Sequence, residues 1–447
     1  MSGTLSSVPL LAVHQELLLL LQLGLLLGLA LALGALARRI GMPAVVGELI
    51  AGLVLGPSIL GKAAPRALTW LLPAQAGQMH LLDAVSQVAV MLLVGMIGAQ
   101  LDLKTMVRRS STVLRVSAGG LFVPLALGLG AGFLLPRNIW PAGVDRTTFA
   151  VFLGVTMCVS AIPVIAKTLA DLHLLHRDVG QLILASAAVQ DTAGWLLLSL
   201  VSALAVGALG PGAVLASLIR LLAFIAVAAL AGPPLVRIVL RTAARAADPG
   251  PVNAAVAVLI LLGAAAAQAL RLEPVLGALA TGILIGAQPA AAPSRLGPLR
   301  VTVLAVFAPI FLASAGLRAD LTQIRTPAML GVGAVILVLA VLGKFAGAYA
   351  GARFSKLNHW EGLALGAGLN ARGVVEIVIA TVGLRLGVLS VASYTIVVLV
   401  AVLTSVMAPP FLRWAMARIE HTADERLTQA DITSPAGLPP AQSRDQP

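Results

Sequence analysis

Thr156-Met157-Cys158-Val159-Ser160-Ala161-Ile162-Pro163 and Gly366-Ala367-Gly368-Leu369-Asn370-Ala371-Arg372-Gly373 are the two stretches on which the reading of this chain turns. Each lies near the middle of an apolar block, and each is composed to interrupt a helix. Proline removes a backbone donor, and glycine weakens a helix interior. Non-helical backbone at membrane depth is tolerated only where it is buried in protein or lines a cavity. Breaks at corresponding places in two halves of a membrane protein point to an ion site at the interface between repeats. The plainer alternative is two ordinary Pro and Gly kinks.

The sequence around these stretches is built for a bilayer. The 447 residues are 59% hydrophobic and 11% charged, with mean hydropathy +1.00. Soluble domains carry about 25% charged residues. The apolar residues fall into blocks near the ~20 residues a spanning helix needs. Thirteen spans are expected: 15–37, 43–60, 82–101, 112–135, 148–170, 179–207, 221–240, 252–270, 273–288, 300–317, 327–352, 361–384 and 390–412. The fold class expected is therefore an all-α polytopic membrane protein with about 13 transmembrane helices. A short segment, 1–14, precedes the transmembrane domain at 15–412, and 413–447 is expected to be a cytoplasmic, disordered tail, polar and Pro-rich from Ser434. The start of the chain lacks Lys and Arg and its first apolar block is long, so no cleavable signal peptide is expected.

The net charge of +12 would suggest nucleic acid in a soluble protein. Here the basic residues sit in loops, with no aromatic interleaving, and no nucleic-acid partner is expected. One set of alternate loops and the tail hold nineteen Lys and Arg, the opposite set nine. The rich side is cytoplasmic by the positive-inside rule, which places the C-terminus in the cytoplasm. The lone cysteine, Cys158, rules out a disulfide framework or a Cys-based zinc site. His173 and His176 lie in a charged loop and read as solvated surface. No nucleophile–base set and no phosphate loop occurs, so neither an enzyme nor a cofactor is expected.

Four charges lie where charge is costly, by about 2.5–3.5 kcal/mol each on insertion scales: Asp191, Lys344, Arg372 and Glu376. Arg372 and Glu376 are four residues apart, so they share one helix face and can pair. Asp191, near the middle of its span, is the acid least explained by internal pairing, and intramembrane acids by default line a transport path. Burial and a nearby Lys344 charge would act on its proton affinity in opposite directions. Glu48, near the cytoplasmic end of its span, fits either an ion entry funnel or a structural cap. Asp83 and Glu273 sit near span ends and read as solvated interface. Glu361 belongs in the first turn of its helix, where its charge favours the dipole.

Several segments together resemble the monovalent cation:proton antiporter-2 family. Pro43-Ala44-Val45-Val46-Gly47-Glu48-Leu49-Ile50-Ala51-Gly52-Leu53-Val54-Leu55-Gly56-Pro57 is similar to its P-x-V-x-G-E-x-x-x-G-x-x-L-G-P segment. Leu276–Gly282 is similar to its L-G-A-F-x-A-G segment, and Phe307–Leu317 to its P-x-F-F-x-x-x-G-L segment. Ser160–Lys167 resembles its first unwound helix, and Asn370-Ala371-Arg372-Gly373-Val374-Val375-Glu376 its N-x-R-G-x-x-E segment. The likeness runs from about residue 40 to 412.

The resemblance implies two inverted repeats, two crossing broken helices, a dimerisation domain and hence a homodimer. It implies antiport of Na⁺ or K⁺ against H⁺ by alternating access. Asp191 becomes the shared cation and proton site, transiently holding Na⁺ or K⁺, with Thr156 and Ser160 shaping it. Lys344 matches a membrane-embedded lysine able to pair with that acid, and Arg372 and Glu376 match the ion pair of the second broken helix. Electrogenic relatives carry two adjacent aspartates where this chain has Gln190-Asp191, so electroneutral exchange is expected and K⁺ becomes a candidate. Two other readings stay open: a sodium-coupled organic-solute symporter, and a non-transporting sensor or channel. Composition and the absence of a targeting segment suggest a bacterial inner membrane.

Overall fold

The computed structural model describes residues 12–73, 76–99, 110–172, 174, 177–206, 211–245, 248–291 and 293–419, and these are helical with no strand. The tail beyond residue 419, the loop residues Lys104, Arg108 and Arg109, and His173 and His176 lie outside the described residues. The first half runs α1 (Val13–Arg39), α2 (Ala44–Leu55), α3 (Ala76–Ala99), α4 (Ser110–Leu134), α5 (Arg146–Cys158), α6 (Ile162–Asp171) and α7 (Asp178–Val206). After α8 (Pro211–Ala243) come α9 (Gly250–Ala269), α10 (Pro274–Gly286), α11 (Ala308–Arg318), α12 (Pro327–Phe354), α13 (His359–Leu369), α14 (Val374–Arg385) and α15 (Val391–Met416).

Ten helices are long and apolar enough to cross a bilayer, or eleven if the bent pair α13–α14 is one span. The expected count of thirteen is not reproduced on this measure. The expected spans 148–170 and 273–288 fall on shorter apolar helices, α5 and α10. The first stops at a break. The second has 13 residues, about 20 Å at the α-helical rise and short of a ~30 Å hydrocarbon core.

Helix ends are written locally. Asp145 accepts from the amides of Thr147 and Thr148 at the start of α5. Asn358 and Glu361 form a capping box on α13, which uses Glu361 as its position suggested. Gly41, at φ +77°, ends α1 in a Schellman turn: its amide donates to Arg38, and that of Met42 to Ala37.

The packing shows two equivalent halves. The contact of α1 with α2 recurs as α9 with α10, and α4 with α5 recurs as α12 with α13. Likewise α5–α7 recurs as α13–α15, while α2–α11 mirrors α10–α3. With each broken pair counted once, an odd number of crossings separates equivalent helices, so the repeats are inverted. Two helix groups result: α1–α3 with α9–α11, and α4–α7 with α12–α15. The second is sewn across the repeat axis by α4 and α12, where a Cβ on Gly119 would stand 2.1 Å from the Gly347 oxygen. Small residues let helix backbones approach this closely in the absence of a hydrophobic drive.

Candidate ion site at the crossing of two broken helices

Both predicted interruptions are real breaks. Between α5 and α6, residues 159–161 are non-helical, and α6 restarts at Ile162 with Pro163 in its first turn, where a missing amide donor costs nothing. Between α13 and α14, residues 370–373 separate two segments bent by 46°. The breaks touch: the Ala161 amide donates to the Ala371 carbonyl at 3.3 Å. Ser160 Oγ lies 2.8 Å from the Leu369 carbonyl and 2.8 Å from Gln190 Oε1. Helix α7 passes alongside, since a Cβ on Gly194 would meet Val159 at 2.5 Å.

A helix that stops inside a protein leaves its last carbonyls unpaired. At the end of α5 two buried cations satisfy them. Arg372 donates to the carbonyls of Thr156 at 3.0 Å and Met157 at 2.7 Å, and also to Ala340 at 3.3 Å. Lys344 Nζ donates to the Cys158 carbonyl, to the Gly120 carbonyl at 2.9 Å and to Gln190 Oε1 at 2.9 Å. That is one acceptor for each proton of an ammonium. Positive charge at a helix C-terminus is also favoured by the macrodipole.

Arg372 and Glu376 form an ion pair at 3.2 Å and are 0% and 3% exposed. The expectation of a shared helix face needs correction: Arg372 lies in the break, and Glu376 in the first turn of α14. They meet because the chain turns there. Ser405 on α15 holds the Arg372 carbonyl, a role its sequence context did not signal.

Asp191, midway along α7, is 0% exposed, and neither of its carboxylate oxygens has a hydrogen-bond partner among the described residues. Lys344, expected to be able to pair with it, is instead saturated by two carbonyls and Gln190. Thr156 returns its hydroxyl to the Leu153 carbonyl at 2.7 Å. Gln190 closes the network, its amide lying 3.4 Å from the Ser117 carbonyl. Glu48 lies apart from this cluster. It is 8% exposed and packs on α1, where a Cβ on Gly34 would sit 3.4 Å from its Cγ. No group of three or more His, Cys, Asp or Glu suited to a metal occurs among the described residues.

Sequence reasoning missed the contacts that join helices. Glu273, read as solvated, is 7% exposed and accepts from Arg385 at 2.6 Å. Asp83 is paired with Arg318. Gly120 and Ser117, which complete the polar network, carry no local signal beyond the Gly119-Gly120 pair.

Inverted halves with two broken helices crossing beside a buried carboxylate that has no partner among the described residues are the architecture found in ion-coupled secondary transporters. The chain belongs to the family described as sodium/hydrogen exchanger, transmembrane, which matches residues 26–418; this is a transporter family, not an enzyme family. Among relatives, Cation/H(+) antiporter 18 of Arabidopsis thaliana is 29% identical over 396 residues, covering 88% of this chain and 48% of that protein. The chain thus spans about half the length of the plant relatives it matches. Na(+)/H(+) antiporter NhaS4 of Synechocystis is 28% identical, covering 89% of this chain and 96% of the relative. Na(+)/H(+)-K(+) antiporter GerN of Bacillus cereus is 28% identical, with 85% and 92% covered. The fold is shared with the sodium proton antiporter MjNhaP1 of Methanocaldococcus jannaschii at TM-score 0.62 and 15% identity, covering 90% of this chain and 97% of that one.

Proposed function

We propose that the chain exchanges a monovalent cation, Na⁺ or K⁺, for H⁺ by alternating access, with Asp191 as the shared site. The observation that carries this is the Asp191 carboxylate, buried beside the crossing with no partner among the described residues. A bare carboxylate in a dry interior is too costly to persist. It must be met by a proton or by a cation, and one carboxylate cannot take both. That competition is the exchange. Thr156 and Ser160 supply oxygens at the break for the cation, and Gln190 fixes Ser160 and Lys344 around it. Arg372 and Glu376 hold the ends of the broken helices, and Glu48 lines the approach from the cytoplasmic side.

Only the neutralised states of Asp191 move readily, because an unneutralised charge would travel through apolar protein. Lys344 keeps its three protons on three acceptors, so one proton leaves for each cation that enters and no net charge crosses. The relatives' names include both Na⁺ and Na⁺/K⁺ exchange, and Gln190 beside Asp191 keeps K⁺ in contention. The protein works as a homodimer in the cell inner membrane, with its C-terminus in the cytoplasm. The test is the purified chain in proteoliposomes holding a pH indicator. Added Na⁺ or K⁺ is expected to drive proton movement in the opposite direction, and cation uptake with no proton counter-flow would overturn the reading.

A further inference from the structure

At the end of the molecule that carries the basic loops, a cavity of about 270 Å³ opens between the α1–α2 turn, α6 and the end of α15, lined by Arg38, Gly41, Pro43, Thr168, Pro409 and Arg413. The Schellman turn at Gly41 folds the chain back so that Arg38, in the last turn of α1, stands beside the start of α2. That start has no capping side chain and no acid in its first turn. Arg413 arrives from the last turn of α15. Two like charges on separate helices therefore face one space, and no carboxylate lines it among the described residues.

The lining groups lack partners that their counterparts have. Arg353 and Arg418, also at helix ends, donate to the carbonyls of Leu357 at 2.6 Å and Trp414 at 2.7 Å. Neither Arg38 nor Arg413 makes such a bond or an ion pair among the described residues; the buried Glu48 carboxylate on α2 lies within electrostatic reach of Arg38 but does not line the cavity, which leaves Arg413 without a counter-charge there. Thr168 is 4% exposed, and its Oγ1 has no hydrogen-bond partner among the described residues. Other helical threonines return the hydroxyl to the carbonyl four residues back, as Thr192 does to Ala188 at 2.9 Å and Thr381 to Ile377 at 2.8 Å. A buried hydroxyl without a partner calls for one. An oxyanion would satisfy the hydroxyl, both guanidinium groups and the open helix start together. The volume suffices for a phosphate with water, given that one water takes about 30 Å³ in the liquid.

We propose that this cavity binds a phosphoryl oxyanion, with Arg38 and Arg413 clamping its charge and Thr168 Oγ1 donating to it. The anion comes either from inorganic phosphate or from an anionic lipid headgroup, since basic pockets at the cytoplasmic ends of helices suit both. An occupant would bridge the α1–α2 turn of one helix group to α6 and α15 of the other, so binding stabilises the fold. The inference does not depend on the antiport reading, because none of these residues belongs to the Asp191 network.

The experiment follows thermal unfolding of the full chain in nanodiscs. In phosphatidylcholine discs, inorganic phosphate is titrated against chloride at equal ionic strength. A second arm replaces part of the lipid with phosphatidylglycerol and omits phosphate. A saturable rise in Tm in the first arm identifies free anion as the source, and a rise in the second alone identifies the lipid. The Arg38→Gln/Arg413→Gln double variant is expected to lose the rise, whereas Arg353→Gln, an exposed arginine at the same end, keeps it. If the double variant does not fold, Thr168→Val and Arg413→Gln must each raise the half-saturating concentration of phosphate or of phosphatidylglycerol about tenfold, a shift of about 1.4 kcal/mol. No rise in either arm, or an effect on Arg353→Gln equal to that on the double variant, overturns the proposal.

Discussion

At the scale of single residues, the proposed exchange rests on Asp191 and Lys344. Asp191 was legible in the sequence because an acid inside an apolar block is costly enough to need a reason. Asp191→Asn is expected to fold and to abolish cation-driven proton flux in proteoliposomes, since an amide cannot alternate between proton and cation. Near-parental flux from the purified variant would remove Asp191 from the mechanism. Lys344 was equally visible, but its partners were not. If the three acceptors around Nζ hold its charge fixed through the cycle, exchange is electroneutral. In K⁺-free liposomes clamped at different potentials, with Na⁺ as test ion, the rate should stay level. A steep rise with potential, or a reversal at two protons per cation, would put Lys344 in the proton path.

At the scale of elements, the broken helices depend on how their cut ends are satisfied. Arg372 serves twice, as counter-charge to Glu376 and as cap on α5. Arg372→Met should therefore be the most damaging change here, by roughly the 3–5 kcal/mol lost when a buried pair is broken. Glu376→Gln should cost less. Adding it to Arg372→Met should recover part of the loss, because the stranded carboxylate is gone, but not all, because the α5 carbonyls remain unpaired. Melting of the three variants in detergent checks the order, and a double variant as stable as the parent would mean that the capping bonds contribute nothing. At the other end of α5, desolvation is the largest single influence on the Asp145 carboxylate and works to raise its pKa, but the Thr147 hydroxyl and the amides of Thr147, Thr148 and Arg146 together outweigh it and hold the pKa below the usual carboxylate range. Asp145→Ala should cost about 1 kcal/mol, as loss of an N-cap does. Since the folded value lies below the unfolded one, the stabilising effect is present above the ordinary Asp pKa of about 3.9 and is lost as pH falls through the folded value. The parent-to-variant gap in Tm should thus narrow on acidification, and a gap that widens would contradict the cap.

At the scale of the whole molecule, the two helix groups are linked at the expected outer side by Glu273 of the α9–α10 turn and Arg385 at the end of α14, with Gln87 of α3 also 3.2 Å from Arg385. If transport moves one group against the other, this link must part in each cycle. Cys158 is the one native cysteine and is buried, so introduced thiols can be addressed selectively. Joining Glu273→Cys to Arg385→Cys with a bifunctional thiol reagent is expected to stop exchange, and a cleavable linker to restore it on reduction. Undiminished flux in the fully cross-linked protein would show that these groups do not separate during transport.

The sequence by itself determined the class of fold, the places where two helices fail, and which four charges are out of place. These are local matters: apolar run length, proline and glycine, and the cost of an ion in hydrocarbon. It could not settle what long-range packing controls. Ten or eleven of the thirteen expected spans meet the test of length and apolarity in the folded chain, and the others fall on shorter apolar helices. Arg372 and Glu376 were expected on one helix face and meet instead across a break. Lys344 turned from Asp191 to Gln190 and two carbonyls, and Glu273 proved to be buried and paired. Only the tertiary structure could decide these, since a side chain's partner depends on where another helix, up to 224 residues away in the case of Gly120 and Lys344, brings its backbone.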